Sequence, residues 1–129
     1  MFVKGGLIYP DLSYTLTGIL FSVHNDIGIY GKEKQYAELL AKKLETQKIP
    51  FLRERDIGDS GNRIDFIVYQ KILIELKAKR GLTEEDYIQT QRYLQETGLR
   101  LGLLVNFRES YLKPKRIVRI DTEQKKKCM

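Results

Sequence analysis

Cysteine and histidine are nearly absent: the chain of 129 residues has one of each. A lone cysteine, Cys128, excludes an intramolecular disulfide, and one Cys with one His cannot supply the ligand set of a Cys/His zinc site. Any metal must therefore be held by carboxylates. Long apolar runs are missing too. The hydrophobic stretches are interrupted by a polar residue within a few positions, far short of the roughly 18 needed to cross a bilayer. The opening MFVKGGLIYP has no signal-peptide core. No membrane partner and a cytoplasmic location are the expectation. Internal repeats and Ser/Gly/Pro-rich linkers are also lacking, and 129 residues suffice for one core rather than two. Residues 1–120 are read as one domain, and 121–129 as a basic tail expected to be disordered.

What remains is a chain 42% hydrophobic and 31% charged, apolar enough to bury a core and too hydrophobic for a disordered protein. Its net charge is +6, and the tail's three lysines against Asp121 and Glu123 account for +1, so the first 120 residues retain +5. A basic domain attracts polyanions through counterion release, which makes nucleic acid the first partner class to consider. Solvated lysine faces give the same count, so composition alone does not decide.

After a turn at Pro10, apolar residues at Leu12, Leu16, Ile19, Leu20, Val23 and Ile27 predict a first helix, with Asp11 or Ser13 as its cap. Gly28 and Gly31 punctuate the chain before a second helix through Tyr36, Leu39, Leu40 and Leu44, ending near Lys48 ahead of Pro50. IPFLRERDI, a DSGN turn, RIDFIVY, a Gln70-Lys71 link and ILIELKAK read as three strands of a meander. Thr83 and Glu84 to Asp86 open a third helix over 83–97, with Tyr87, Ile88, Gln91 and Leu94 on one side and Gly98 as its stop. LRLGLLVNF is a buried strand and KRIVRI a short edge strand. The order α-α-β-β-β-α-β-β predicts an α/β (α+β) fold, a mixed sheet flanked by helices.

Strand alternation puts Ile72, Ile74, Leu76 and Ala78 on one face, and Leu73, Glu75, Lys77 and Lys79 on the other. In the preceding strand Ile64, Phe66 and Val68 share one face, and Arg63, Asp65 and Ile67 the other. If the two strands pair around Gln70-Lys71, Asp65 and Glu75 become cross-strand neighbours, where like charges repel. A carboxylate among apolar strand residues is costly unless paired or metal-bound, and a divalent cation removes the conflict. Two hard oxygen donors suit Mg²⁺ or Mn²⁺, and Lys77 beside them is placed to polarise a water or offset charge on phosphorus. From spacing alone, an exposed pair on an edge strand explains Glu75 and Lys77 as well.

Asp65, nine intervening residues and Glu75-Leu76-Lys77 resemble the D-x(n)-E-x-K signature of the PD-(D/E)XK nuclease superfamily, carried on the second and third strands of an α-β-β-β-α-β, restriction-endonuclease-like core. The likeness extends to Glu33-Lys34-Gln35-Tyr36, to Gln89 followed four residues later by Tyr93, to TGLRLGLLVNF at 97–107 and to LSYTLTGILFSVHNDIG at 12–28. Together these resemble the small GxxExxY proteins, a branch of that superfamily, over roughly residues 7–120. The resemblance implies five catalytic positions: Glu33, Asp65 and Glu75 gather Mg²⁺ or Mn²⁺, Lys77 assists attack by a metal-activated water, and Gln89 orients the site. One position departs from the pattern. The glycine expected three residues before Glu33 is Tyr30, with glycines at 28 and 31 instead.

Lys79 and Arg80, just past the E-x-K strand, and Tyr93 are candidate nucleic-acid contacts. Physics alone makes Glu33, between Lys32 and Lys34, a solvated helix residue, so its role rests on the resemblance. His24, beside an apolar stripe, reads as a hydrogen-bonded packing residue. Tyr14, Tyr30, Tyr36 and Tyr87 offer rings to bases, yet their spacing fits the core or its rim. The implied function is a metal-dependent nuclease hydrolysing DNA. The alternative is a catalytically silent nucleic-acid-binding or scaffold module with the nuclease fold. Two carboxylates facing a polyanion favour the first. A homodimer or a larger protein partner stays open.

Overall fold

The computed structural model describes residues 8–57 and 62–120. Cys128, the 121–129 tail, the opening residues 1–7 and most of the DSGN turn lie outside them.

Helix α1, Pro10–Ile27, buries Leu16, Leu20 and Val23. Neither Asp11 nor Ser13 caps it: the N-cap is Tyr9, and the Ser13 hydroxyl donates to Pro10 O (3.2 Å). Pro10 at the first turn lacks the N–H that a cap would otherwise satisfy. Gly28, at φ 85°, ends the helix and donates its N–H to His24 O (2.8 Å). Helix α2, Glu33–Thr46, starts where Gln35 Oε1 reaches back to the Lys32 N–H (2.8 Å), and it buries Tyr36, Leu40 and Leu44. Both helices cover one face of the sheet.

The sheet comprises β1 (Phe51–Ile57), β2 (Asn62–Val68), β3 (Ile72–Lys77), β4 (Leu101–Asn106) and β5 (Lys115–Val118), in spatial order β1-β2-β3-β4-β5. All pairs are antiparallel except β3–β4, which is parallel and needs a crossover. Helix α3, Glu84–Thr97, is that crossover and covers the second face. This is the mixed, helix-flanked sheet expected. Among the described residues no helix is long and apolar enough to cross a membrane.

Three further local readings are corrected. The β2–β3 turn spans Tyr69 to Lys71 rather than Gln70-Lys71: Tyr69 and Gln70 are both left-handed (φ 54° and 55°), and the Lys71 N–H donates to Val68 O (2.9 Å). That register centres the hairpin on Gln70 and sets Asp65 opposite Glu75. Next, alternation breaks in β2. Ile64 joins Ile67, Leu73 and Leu94 under α3, while Phe66 and Val68 face α1 and α2. The β1–β2 ladder skips the Glu54–Asp65 position, where Glu54 is left-handed (φ 51°), and a backbone irregularity of this kind re-aims the side chains beyond it. Finally, α3 buries Asp86, Thr90, Tyr93 and Leu94, whereas Tyr87 and Ile88 are exposed. The cause is close approach. A Cβ on Gly102 of β4 would sit 3.1 Å from Thr90 Cγ2 and 3.0 Å from Leu73 Cδ1, so the helix lays its small Thr90 on a strand glycine.

Candidate functional site

The β2–β3 ladder pairs Val68 with Ile72, Ile67 with Leu73 and Phe66 with Ile74, and then stops. Beyond it two side chains take over the main-chain bonds. The Asp65 N–H donates to Glu75 Oε2 (2.9 Å), and the Leu76 N–H donates to Asp65 Oδ2 (2.7 Å). Each carboxylate thus commits one oxygen to the opposite strand and keeps the other for a further partner. Glu75 is only 3% exposed. Burial, then the neighbouring Asp65 charge, pushes its carboxyl up to about 8, against the pull of the Asp65 amide and Lys77. Burial also raises Asp65, outweighing the Leu76 amide, Lys77 and Arg53. Glu33, the first residue of α2, is raised by partial burial and by the Asp65 charge. All three candidate ligands are therefore under-neutralised by the cations around them, the electrostatic condition for a cation site.

Lys77 donates to Gln89 Oε1 (3.2 Å) and stands 3.8 Å from Asp86 Oδ1. Lys79 Nζ lies 2.6 Å from Asp86 Oδ2, which also accepts the Thr83 N–H (2.7 Å) at the start of α3. Burial alone would raise Asp86, but the Lys79 and Thr83 bonds and the nearby Lys77 hold it below the usual carboxylate range. Asn106, buried at the end of β4, clamps the next stretch: its Oδ1 accepts the Lys79 N–H (3.1 Å), and its Nδ2 donates to Lys79 O (2.9 Å). The Phe107 N–H adds a bond to Lys77 O (2.9 Å). Sequence reasoning missed Asp86 and Asn106 as site residues. Asp86 was legible only as a helix opening; Asn106 carried a signal, a lone polar side chain closing the apolar run LRLGLLVN.

The fold thus gathers Asp65, Glu75, Lys77 and Gln89, with Glu33 in electrostatic range. Arg80 is exposed three residues past Lys77 in the chain, and Lys79 is engaged by Asp86. Tyr93 is placed otherwise. It is 2% exposed and packed with Ile64 and Leu73, so its ring face is not open to a base. Tyr36 is likewise buried. Its hydroxyl donates to Gly28 O and accepts the Gly31 N–H (3.0 Å), and its ring stacks on Phe107 at 4.2 Å. A Cβ on Gly31 would meet Ile27 Cγ2 at 2.6 Å, so that glycine is required, while Tyr30 is 86% exposed and costs the loop nothing. His24 is a packing residue, its Nε2 2.8 Å from Glu109 O.

Among the described residues no three His, Cys, Asp or Glu side chains already stand as a metal-binding group, and Glu33 is linked to Asp65 through charge. The donor chemistry nonetheless fits a hard divalent cation: two shielded carboxylates, each with an uncommitted oxygen, at the same end of the hairpin.

A profile of the PD-(D/E)XK nuclease superfamily matches residues 10–120. The chain belongs to that superfamily. Nucleases of this superfamily generally use divalent metals, in keeping with the donor set. The fold is also similar to the crystal structure of SSO0001, with a TM-score of 0.51 and 21% identity, covering 90% of this chain and 60% of that one. At that identity the likeness is one of fold alone. Among curated proteins none matches.

Proposed function

We propose that this PD-(D/E)XK protein is a metal-dependent phosphodiesterase of the GxxExxY type that hydrolyses DNA. The observation that carries the reading is the interlocked Asp65–Glu75 pair, a half-buried and a buried carboxyl whose proton affinity is raised, with the Lys77 ammonium alongside. A folding role alone would favour apolar side chains at the end of a hairpin.

Asp65 and Glu75 would hold Mg²⁺ or Mn²⁺, and Glu33 would add a third carboxylate from the start of α2. When bound, such an ion supplies Lewis-acid charge to a phosphate oxygen and acidity to a water. Lys77 offsets the charge that grows on the nonbridging oxygens, and Gln89 holds its ammonium at a fixed place. Arg80, exposed beyond the strand, contacts the phosphodiester backbone, and Lys79 contributes positive potential. The GxxExxY assignment is supported by Tyr36, which clasps the loop leading into Glu33 through Gly28 and Gly31.

Labelled DNA and RNA are incubated with the protein in Mg²⁺, Mn²⁺ or EDTA, with Glu75→Ala as control. DNA cleavage that needs the metal and is lost in Glu75→Ala is the expected result. Binding of DNA without cleavage under every metal condition overturns the enzyme reading in favour of a silent binding module. That second reading draws on one observation, the three carboxylates that do not yet form a group.

A further inference from the structure

Only two acidic side chains are buried among the described residues, Glu75 and Asp86. Asp86 reaches back to the Thr83 N–H in the first turn of α3, a task that an uncharged acceptor performs as well. Burying a charged one instead is costly, and here two lysines from the E-x-K segment offset the cost: Lys79 at 2.6 Å and Lys77 at 3.8 Å. The direction of Lys77 is the informative part. It lies two residues from Glu75, in a region where both Asp65 and Glu75 are under-neutralised, yet among the described residues its ion-pair partner is Asp86 and its hydrogen-bond partner is Gln89, one helical turn further along α3. A flexible four-carbon ammonium with no counter-charge on α3 would settle on the nearest carboxylates.

We propose that Asp86 is a positioning residue that holds the Lys77 ammonium against α3 and off the Asp65–Glu75 pair, leaving those carboxylates to the cation. The catalytic consequence rests on the nuclease reading; the placement of Lys77 does not. Lys79, anchored on the other oxygen of Asp86, keeps that carboxylate in place rather than binding phosphate itself.

Asp86→Asn tests this because the amide keeps an acceptor for the Thr83 N–H and removes only the charge. Glu85→Gln, on the exposed side of the same turn, removes an equal charge from the helix start without touching either lysine. Two readouts are taken. The first is the placement of Lys77, from a crystal structure and from the ¹H–¹⁵N signals of the lysine ammonium groups. In Asp86→Asn the 3.2 Å contact with Gln89 is expected to break and Lys77 Nζ to move onto Glu75 or Asp65, with Glu85→Gln unchanged. The second is cleavage: kcat is expected to fall about 10- to 100-fold, with KM for DNA unchanged or lower. Asp86→Glu, which keeps both charge and cap, is expected to recover part of kcat. Lys77 remaining on Gln89 in Asp86→Asn overturns the proposal even if the wild type cleaves nothing, an outcome that would itself defeat only the nuclease reading. A wild-type kcat in Asp86→Asn, or an Asp86→Glu no better than Asp86→Asn, overturns it as well. If Asp86→Asn does not fold, Asp86→Gln decides in its place, uncharged and able to cap as Gln35 does in α2: a Lys77 ammonium shifted off Gln89 with reduced kcat supports the proposal, and an unmoved one refutes it.

Discussion

At its turn end the β2–β3 hairpin closes with three consecutive ladder pairs, and its side chains there, Phe66, Val68, Ile72 and Ile74, are fully buried. At its other end the ladder gives way to two carboxylates bonded to each other's strands, flanked by Lys77 and Lys79. The turn end gains cohesion from apolar burial and paired amides. The open end keeps charge in a shielded place, where it opposes folding unless something else occupies the site. The stiffness it needs comes from neighbours: Asn106 on β4, and Asp86 and Gln89 on α3. A hairpin can be both a core element and a reactive site when the two roles are separated along its length.

The sharpest way to break this comparison is by stability. Phe66→Ala removes a fully buried ring that lies 5.7 Å from Phe51, centroid to centroid. It is expected to cost about 3–5 kcal/mol in urea unfolding. The double variant Asp65→Asn, Glu75→Gln keeps an acceptor for each main-chain amide and removes the like-charge conflict. In EDTA at neutral pH it is expected to be as stable as the wild type or more so. A loss as large as that of Phe66→Ala would mean that the two ends serve folding equally.

The next effect is catalytic and belongs to the open end alone. Lys77→Ala is expected to slow single-turnover DNA cleavage by ~10²-fold or more, about 2.7 kcal/mol of barrier, while filter binding in Ca²⁺ changes little. Lys77→Arg should not recover the full rate, because a planar guanidinium does not fit where Gln89 holds a compact ammonium.

A third effect, smaller per unit of pH, is read through titration. Folded Glu75 keeps its proton up to about 8, whereas the unfolded chain releases it near 4.5. Between those values the folded state binds more protons, so its advantage is complete at low pH and drains away as pH rises. Unfolding free energy in EDTA should therefore fall with pH, by at most about 1.4 kcal/mol per unit between roughly pH 5 and 8. Urea titrations across that range should lose this slope in Glu75→Gln and keep it in Phe66→Ala, if the latter remains folded.

The smallest effect sharpens the comparison from the turn side. Tyr69 and Gln70 both occupy left-handed backbone that Asn and Gly accept at lower cost. Replacing them with Asn-Gly should stabilise the protein by about 1 kcal/mol without altering cleavage. A change in cleavage rate would show that the two ends are coupled through the strand register.

The helices, the order of elements along the chain and the D…E-x-K pair were legible because each rests on local chemistry. Leu16, Leu20 and Val23 announce a helical face, Gly98 a stop, and Asp65 and Glu75 face each other from their separations about one turn. The misreadings came where distant groups overrule local rules. Tyr87 and Ile88 look like the buried side of α3 by hydrophobicity, yet the helix turns Thr90 and Asp86 inward. The facing surface offers Gly102 to a small side chain and two lysines to an acid. Ile64 follows alternation until the irregularity opposite Glu54 re-aims it. Tyr93, matched to a helical motif, falls into the core for the same reason as Thr90.

By itself, then, the sequence determined the element order, the superfamily signature and the identity of the acids and the lysine, since periodicity, turn residues and charge are properties of short stretches. Only the tertiary structure decided which of them meet and on what terms. Glu33 approaches Asp65 without joining the pair, Lys77 leans toward α3, Asp86 is buried between two lysines, and Asn106 closes the segment behind them. Those outcomes depend on how closely α3 packs on the sheet and where the β2–β3 ladder ends. Both are set by contacts between residues far apart in the chain, which no local pattern encodes.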